Sequence, residues 1–223
     1  MTSSRSYLYA PGHAPERLET AFDHGADTVV FDLEDGVPAG RKAEARELVA
    51  AALRTRPAWV RINPAGSAEA EADLEVVRGL AAGLRLPKTG SPDDARWLLD
   101  RVPGVPLICS IESEEGVAAA PAIAAVRGVL TLSLGSRDRS ADLGCGDAWD
   151  ELLAARATLI GACRSAGLAG PVDSVYYAID DPVGLRAAAK AARRLGFSGK
   201  STLWPAQVAV INEAFGEVTT TPA

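Results

Sequence analysis

A single (β/α)₈ barrel is the fold class this sequence predicts, and three observations carry the prediction. Short apolar runs alternate with longer helical patterns along the whole chain, and they make eight strand–helix units. The strand runs are largely apolar without a break, as strands are when a parallel sheet is covered by helices on its outer face. The length, 223 residues, suits one such barrel. An open doubly wound sheet is the alternative, and the count of eight favours closure.

The first strand is expected at residues 7–9, stopped by Pro11 and Gly12, with a helix over 15–24. The second, 28–35, is β-branched and then acidic, and an Ala-, Glu-, Arg- and Leu-rich helix follows over 39–54. Strand three is 59–63, ended by Pro64, and its helix is 68–81. Strand four is 84–86, and Ser91-Pro92 then gives a helix start with Ser at N-cap and Pro at N1. Strand five is 107–112 with a short helix at 114–125, and strand six is 129–135 with a polar loop and a helix near 148–166. Strand seven is expected at 174–179, with a helix from Pro182 to about Leu195. Strand eight is 201–204, stopped by Pro205, and the last helix is 206–215. Residues 1–217 make one domain in this reading and 218–223 a frayed tail.

Hydrophobic residues are 48% of the chain and the net charge is −6 with no basic stripe, which argues against nucleic acid and against an anionic membrane surface. No apolar run is long enough to span a bilayer, and the N-terminus lacks a signal-like apolar region. Cys109, Cys145 and Cys163 form no CxxC pair and read as free thiols, which predicts a cytoplasmic protein. Two histidines, His13 and His24, exclude a His-rich zinc site.

Active sites of such barrels lie at the C-terminal ends of the strands. The polar residues expected there are Asp32, Glu34, Asp35, Arg61, Asn63, Lys88, Glu112, Asp138, Asp180 and Asp181. Converging carboxylates repel unless protons or a cation intervene, and oxygen-only ligands favour Mg²⁺, with Mn²⁺ or Ca²⁺ as alternatives. Glu112 ends an apolar strand abruptly and is the first candidate ligand; a salt-bridge role is its alternative. Asp138 is either a second ligand or a turn aspartate. Asp32 and Glu34 share one face of strand two, and support of the site from behind is expected of Asp32 and Asn63. Arg61 lies between Val60 and Ile62, so it needs a partner: a substrate carboxylate gripped bidentately, or the strand-two acids. Lys88 is read as a substrate contact or as rim electrostatics. Lys88 and Lys200 both lie near strands, but neighbouring acids raise a lysine's pKa, the wrong direction for a Schiff-base nucleophile.

The ordered segments Arg5-Ser6, Pro11-Gly12, Asp32-Leu33-Glu34-Asp35-Gly36-Val37, Val60-Arg61-Ile62-Asn63, Leu86-Pro87-Lys88, Ile111-Glu112, Gly135-Ser136-Arg137-Asp138 and Gly199-Lys200 resemble the citrate lyase beta-subunit group of the HpcH/HpaI aldolase and CoA-ester lyase family. The resemblance implies a TIM barrel in which Glu112 and Asp138 bind Mg²⁺ and Arg61 holds the carboxylate of a 2-keto acid such as oxaloacetate, pyruvate or glyoxylate. It implies a carbon–carbon lyase acting on an acyl-CoA or acyl-carrier thioester, in a homo-oligomer, trimer or hexamer; Glu34 and Asp35, with Asp32, are the inner acids that could take over proton transfer where the carboxylate of the family's C-terminal extension is missing. A 2-keto acid aldolase without a thioester is the near alternative, and a degenerate barrel binding a ligand or partner chain the more distant one. Trp204 stands where the family commonly has histidine, and Arg139 follows Asp138 where an apolar residue is usual. The family's C-terminal lid extension, which supplies an acid/base carboxylate, has no counterpart after Phe215 in this sequence, and slow turnover of CoA thioesters by the isolated chain is expected unless a partner subunit completes the site.

Overall fold

The computed structural model describes residues 4–136 and 149–216. Eight parallel strands close into a barrel in sequence order, β1 pairing with both β2 and β8. The strands are β1 (Ser6–Pro11), β2 (Thr28–Asp32), β3 (Trp59–Arg61), β4 (Gly83–Leu86), β5 (Leu107–Ile111), β6 (Val129–Leu134), β7 (Val172–Asp173) and β8 (Gly199–Thr202). The helices described are α1 (Pro15–Thr20), α2 (Lys42–Thr55), α3 (Ala68–Val77), α4 (Pro92–Arg101), α5 (Glu114–Ala124), α6 (Leu153–Ser165), α7 (Pro182–Leu195) and α8 (Pro205–Phe215). Short 3₁₀ turns at Ala21–His24 and Ala39–Arg41 extend α1 and lead into α2.

Local chemistry accounts for the helix starts. Ser67, Ser91 and Ser113 each accept a backbone N–H in the first turn of α3, α4 and α5, and Ser91 forms a reciprocal capping box with Asp94. Proline sits in the first turn of α1, α4, α7 and α8, where its missing N–H costs nothing.

Strand seven is a correction. Residues 174–179 were expected to form it, but β7 is the two-residue segment Val172–Asp173, paired through Ser133, Gly199 and Lys200. Asp173 disguises the strand as polar, because it is buried outside the sheet between Lys200 Nζ at 2.7 Å and Arg156 Nε at 3.2 Å. The Tyr-rich stretch that looks like a strand instead runs along the rim.

The main core lies between sheet and helices, where residues such as Phe31, Val60, Leu86, Ile111, Leu132 and Ile211 are fully buried. The barrel interior holds a smaller apolar cluster of Tyr7, Tyr9, Val30, Ile108 and Val172. Above it the interior turns polar, and the site begins there.

Candidate active site

The C-terminal ends of β2, β3 and β4 carry an interlocked set of charges. Asp32 is fixed first: its Oδ1 accepts the Glu34 N–H at 3.0 Å and its Oδ2 the Gly36 N–H at 3.0 Å. A Cβ on residue 36 would collide with that carboxylate, so the turn requires glycine. Asp32 then receives Arg61 through two parallel bonds, Nε to Oδ1 and Nη2 to Oδ2, both 2.7 Å. Arg61 Nη1 lies 2.8 Å from Glu34 Oε2, and Lys88 Nζ lies 2.7 Å from Glu34 Oε1 and 3.2 Å from Asp35. Lys88 reaches this position from a left-handed backbone conformation, φ 48°, just after Pro87.

The electrostatics follow from that packing. Burial would raise the Asp32 carboxyl, but the Arg61 charge and hydrogen bonds overcome it and hold Asp32 below the ordinary carboxylate range. Glu34 goes the other way, since burial outweighs the pull of Arg61 and Lys88. Burial works to lower Lys88, yet Glu34 and Asp35 outweigh it and raise the ammonium well above its usual value. A nucleophilic amine at Lys88 is thereby disfavoured at neutral pH. Lys200, the other lysine near a strand, is 2% exposed, and its ammonium is bonded to Asp173.

Above the interior cluster opens a cleft of about 510 Å³ lined by residues on or just beyond the barrel strands, among them Tyr9, Asp32, Asp35, Arg61, Arg85 and Glu112. Glu112, one residue beyond β5, is 7% exposed. It packs against Gly135, where a Cβ would collide with Glu112 Cγ and Cδ, so glycine there leaves room for the carboxylate. The Tyr9 ring stands between two guanidinium groups, Arg61 at 5.1 Å and Arg85 at 5.2 Å from its centroid. Burial pushes its phenol up to about 12, against the opposing pull of both arginines.

The candidates from the sequence thus separate. Asp32, Asp35, Arg61 and Glu112 line the cleft. Glu34 is 2% exposed behind them, between Arg61 and Lys88, and is not a lining residue. Asn63 reaches outward instead: its amide donates to Leu33 O and Asp73 Oδ2, and its Oδ1 accepts from Lys42. Asn63 therefore ties β3 to α3 and, through Leu33 O and Lys42, to the backbone that carries Asp32 and Glu34. Asp180 and Asp181 are corrected too. Asp180 is exposed, and Asp181 caps α7, accepting from Gly184 N at 2.8 Å and from the Tyr176 hydroxyl at 2.6 Å. Asp138 lies outside the described residues, as do Arg139 and Cys145; Cys109 and Cys163 are buried free thiols.

Sequence reasoning missed Arg85, Tyr9 and Tyr177 on the cleft wall, where Trp204, noted only as a departure from the family pattern, also lies. Arg85 was legible, because it sits between Leu84 and Leu86 just as Arg61 sits between Val60 and Ile62. Trp204 and Tyr177 pack edge to face, centroids 6.0 Å apart, and give the β7–β8 side an aromatic wall.

The lining fits a hard cation. Among the described residues no group of three or more His, Cys, Asp or Glu is placed to hold a metal ion by itself. Mg²⁺, however, takes only one or two carboxylates and leaves its other positions to water and substrate. Glu112 offers a buried carboxylate in a space kept open by Gly135, beside the hydroxyl residues Ser110 and Ser136, so the donors are oxygen.

Comparison with known proteins agrees with this architecture. The family model described as HpcH/HpaI aldolase/citrate lyase matches residues 5–205. A (3S)-malyl-CoA thioesterase of Cereibacter sphaeroides is 36% identical over 220 residues, covering 95% of this chain and 76% of the relative. The citrate lyase subunit beta of Escherichia coli is 35% identical over 234 residues, again covering 95% and 76%. Among solved structures, the citrate lyase beta subunit of M. tuberculosis complexed with oxaloacetate and magnesium superposes with a TM-score of 0.85 at 30% identity, covering 96% of this chain and 97% of that one. A Mycobacterium tuberculosis CitE structure in complex with magnesium, acetoacetate and coenzyme A reaches the same TM-score at 29% identity, covering 96% and 81%. A match of that extent to the family model, together with relatives above 30% identity along nearly its whole length, means that the chain belongs to the HpcH/HpaI aldolase/citrate lyase family.

Proposed function

We propose that this chain is a Mg²⁺-dependent carbon–carbon lyase that cleaves or forms an acyl thioester of a 2-hydroxy acid, the other product being a 2-keto acid. The observation that carries the reading is the pairing, in one cleft, of a guanidinium held rigid by Asp32 with the carboxylate of Glu112. The relatives support it: one is a citrate lyase subunit, and a solved neighbour is complexed with magnesium and oxaloacetate.

In this reading Glu112 and Asp138 hold the metal. When bound, Mg²⁺ supplies Lewis acidity toward the keto oxygen and the adjacent carboxylate of the substrate. The chain's own residues do the rest. Arg61 has five N–H donors; the two that Asp32 engages fix its plane, the ion pair with Glu34 restrains it further, and the remaining donors take the substrate carboxylate. Asp35 is the strand-two carboxylate that is both exposed and on the cleft, and it exchanges the proton. In the cleavage direction it accepts the 2-hydroxyl proton while that oxygen becomes the keto oxygen. The C–C bond electrons pass to the α-carbon of the thioester fragment, and a proton is returned there. Glu34, locked between Arg61 and Lys88, positions both cations and stays out of the proton transfer.

Thioester hydrolysis is the second reading, favoured by the similarity to a (3S)-malyl-CoA thioesterase. Product analysis separates the two. Malyl-, citramalyl- and citryl-CoA are incubated with the chain, with and without Mg²⁺. Cleavage releases a 2-keto acid and an acyl-CoA; hydrolysis releases free CoA thiol and the intact hydroxy acid. The lyase reading expects Mg²⁺-dependent keto acid, and free thiol without keto acid overturns it in favour of hydrolysis.

A further inference from the structure

We propose that Arg85 is a second carboxylate-recognising side chain of the cleft, and that it makes the site prefer 2-keto acids bearing a further carboxylate over monocarboxylic ones. The inference rests on reading the cleft as a keto-acid site and goes beyond it by assigning what the second end of the substrate carries.

Arg85 lies on β4 directly beside Arg61 on β3, their Cα positions paired in register. It is 4% exposed and lines the cleft. Three hydroxyls hold it in place: Nε donates to Ser110 at 3.0 Å, Nη1 to Ser201 at 3.2 Å, and Nη2 to Ser133. These come from β5, β8 and β6, so the guanidinium spans the barrel and forms the cleft floor.

Every one of those partners is neutral. The other fully buried cations described, Arg156 and Lys200, both pair with Asp173, and Arg61 has Asp32 and Glu34. Arg85 has no acid within ion-pair distance among the described residues. Hydroxyl dipoles orient a buried guanidinium but do not neutralise it, and an uncompensated buried charge is costly. An anion arriving in the cleft removes that cost, and three bonds leave donors of the guanidinium for it.

The second anionic group must lie close to the first. Arg61 and Arg85 leave adjacent strands at paired positions and both line the cleft, so one ligand in it meets both charges. A monocarboxylic keto acid satisfies Arg61 alone. A keto acid with a second carboxylate satisfies both arginines, and in the thioester direction the same group would remain on the hydroxy acid. A purely structural alternative makes Arg85 a polar strut between β4, β5, β6 and β8.

Calorimetric titration of the whole chain at saturating Mg²⁺ decides between them, with freshly dissolved oxaloacetate and pyruvate as probes. These acids differ by the second carboxylate. Wild type is expected to bind oxaloacetate at least about tenfold more tightly, the scale of a charge-assisted bond. Arg85→Met should lose that preference while pyruvate affinity stays within about twofold of wild type, and Arg85→Lys should fall between, keeping the charge without the serine-held fork. Equal affinities in wild type, or an unchanged preference in Arg85→Met, overturn the proposal. Should Arg85→Met fail to fold, the wild-type ratio and the Arg85→Lys ratio decide alone. Binding of neither acid by wild type sinks the keto-acid reading itself, and this inference with it.

Discussion

Arg61 shows how one residue can answer two demands. A buried guanidinium needs an acid to be tolerated, and Asp32 and Glu34 provide it. The same acids hold the group still, which is what substrate binding requires. The sequence posed these as alternatives, whereas the geometry lets both hold. Arg61→Lys should therefore leave the fold intact and weaken Mg²⁺-dependent pyruvate binding about tenfold, because one ammonium cannot bridge Asp32 and a substrate together. Unchanged affinity per folded molecule in a calorimetric titration would assign Arg61 a structural role only. Asp32 and Asp173 set the acid behaviour. Both are held below the ordinary carboxylate range, burial being outweighed by Arg61 in one case and by Lys200 and Arg156 in the other. Their stabilisation is complete above about pH 4, the unfolded value, and is lost as pH falls through the lower folded values. Glu34, raised by burial, works in the opposite sense and takes up its proton first. Melting temperature should thus drop steeply only below about pH 4, and Asp32→Asn should flatten that limb while costing about 3 kcal/mol at pH 7. An acid limb of the same steepness in the variant would contradict the assignment.

At the scale of elements, the strand ends aim the chemistry, and small residues let them approach. Gly135, just after β6, leaves the volume that Glu112 occupies beyond β5. Gly135→Ala should push that carboxylate aside, so affinity for Mg²⁺ should fall by at least tenfold, about 1.4 kcal/mol, with the helical circular dichroism unchanged. Wild-type Mg²⁺ affinity in the variant would separate Glu112 from the metal. Most elements were legible for physical reasons. Apolar strand runs, serine caps and first-turn prolines are local signals, and they located α4, α5 and α7 closely. β7 was not legible, because its inward and outward environments are set by partners far along the chain: Asp173 reads as a loop residue until Lys200 and Arg156 are beside it. The partner of Asn63 was hidden for the same reason, Asp73 lying on a different element.

For the molecule as a whole, closure of the barrel brings eight strand ends to one rim. Two kinds of charge result. Lys200, Asp173 and Arg156 form an ion-paired network outside the sheet that serves the fold. Asp32, Asp35, Arg61, Arg85 and Glu112 converge on a cleft of about 510 Å³, ample for a small ligand. The site was legible as a set of acids and one arginine. Its division into lining and supporting residues was not, since Glu34 and Asp35 are neighbours in sequence yet one is 2% exposed and the other faces solvent. The central claim is that this rim holds a metal and a keto acid together through Glu112. The most direct measurement is the melting temperature of wild type and Glu112→Gln with Mg²⁺ and pyruvate, separately and together. At ligand about 100-fold above Kd the stabilisation is about 2.7 kcal/mol, or roughly 5–10 °C for a chain of this size. The account predicts that shift in wild type with both ligands present, little with pyruvate alone, and none in Glu112→Gln. An equal shift in the variant, or no shift in wild type at saturating concentrations of both, would contradict it.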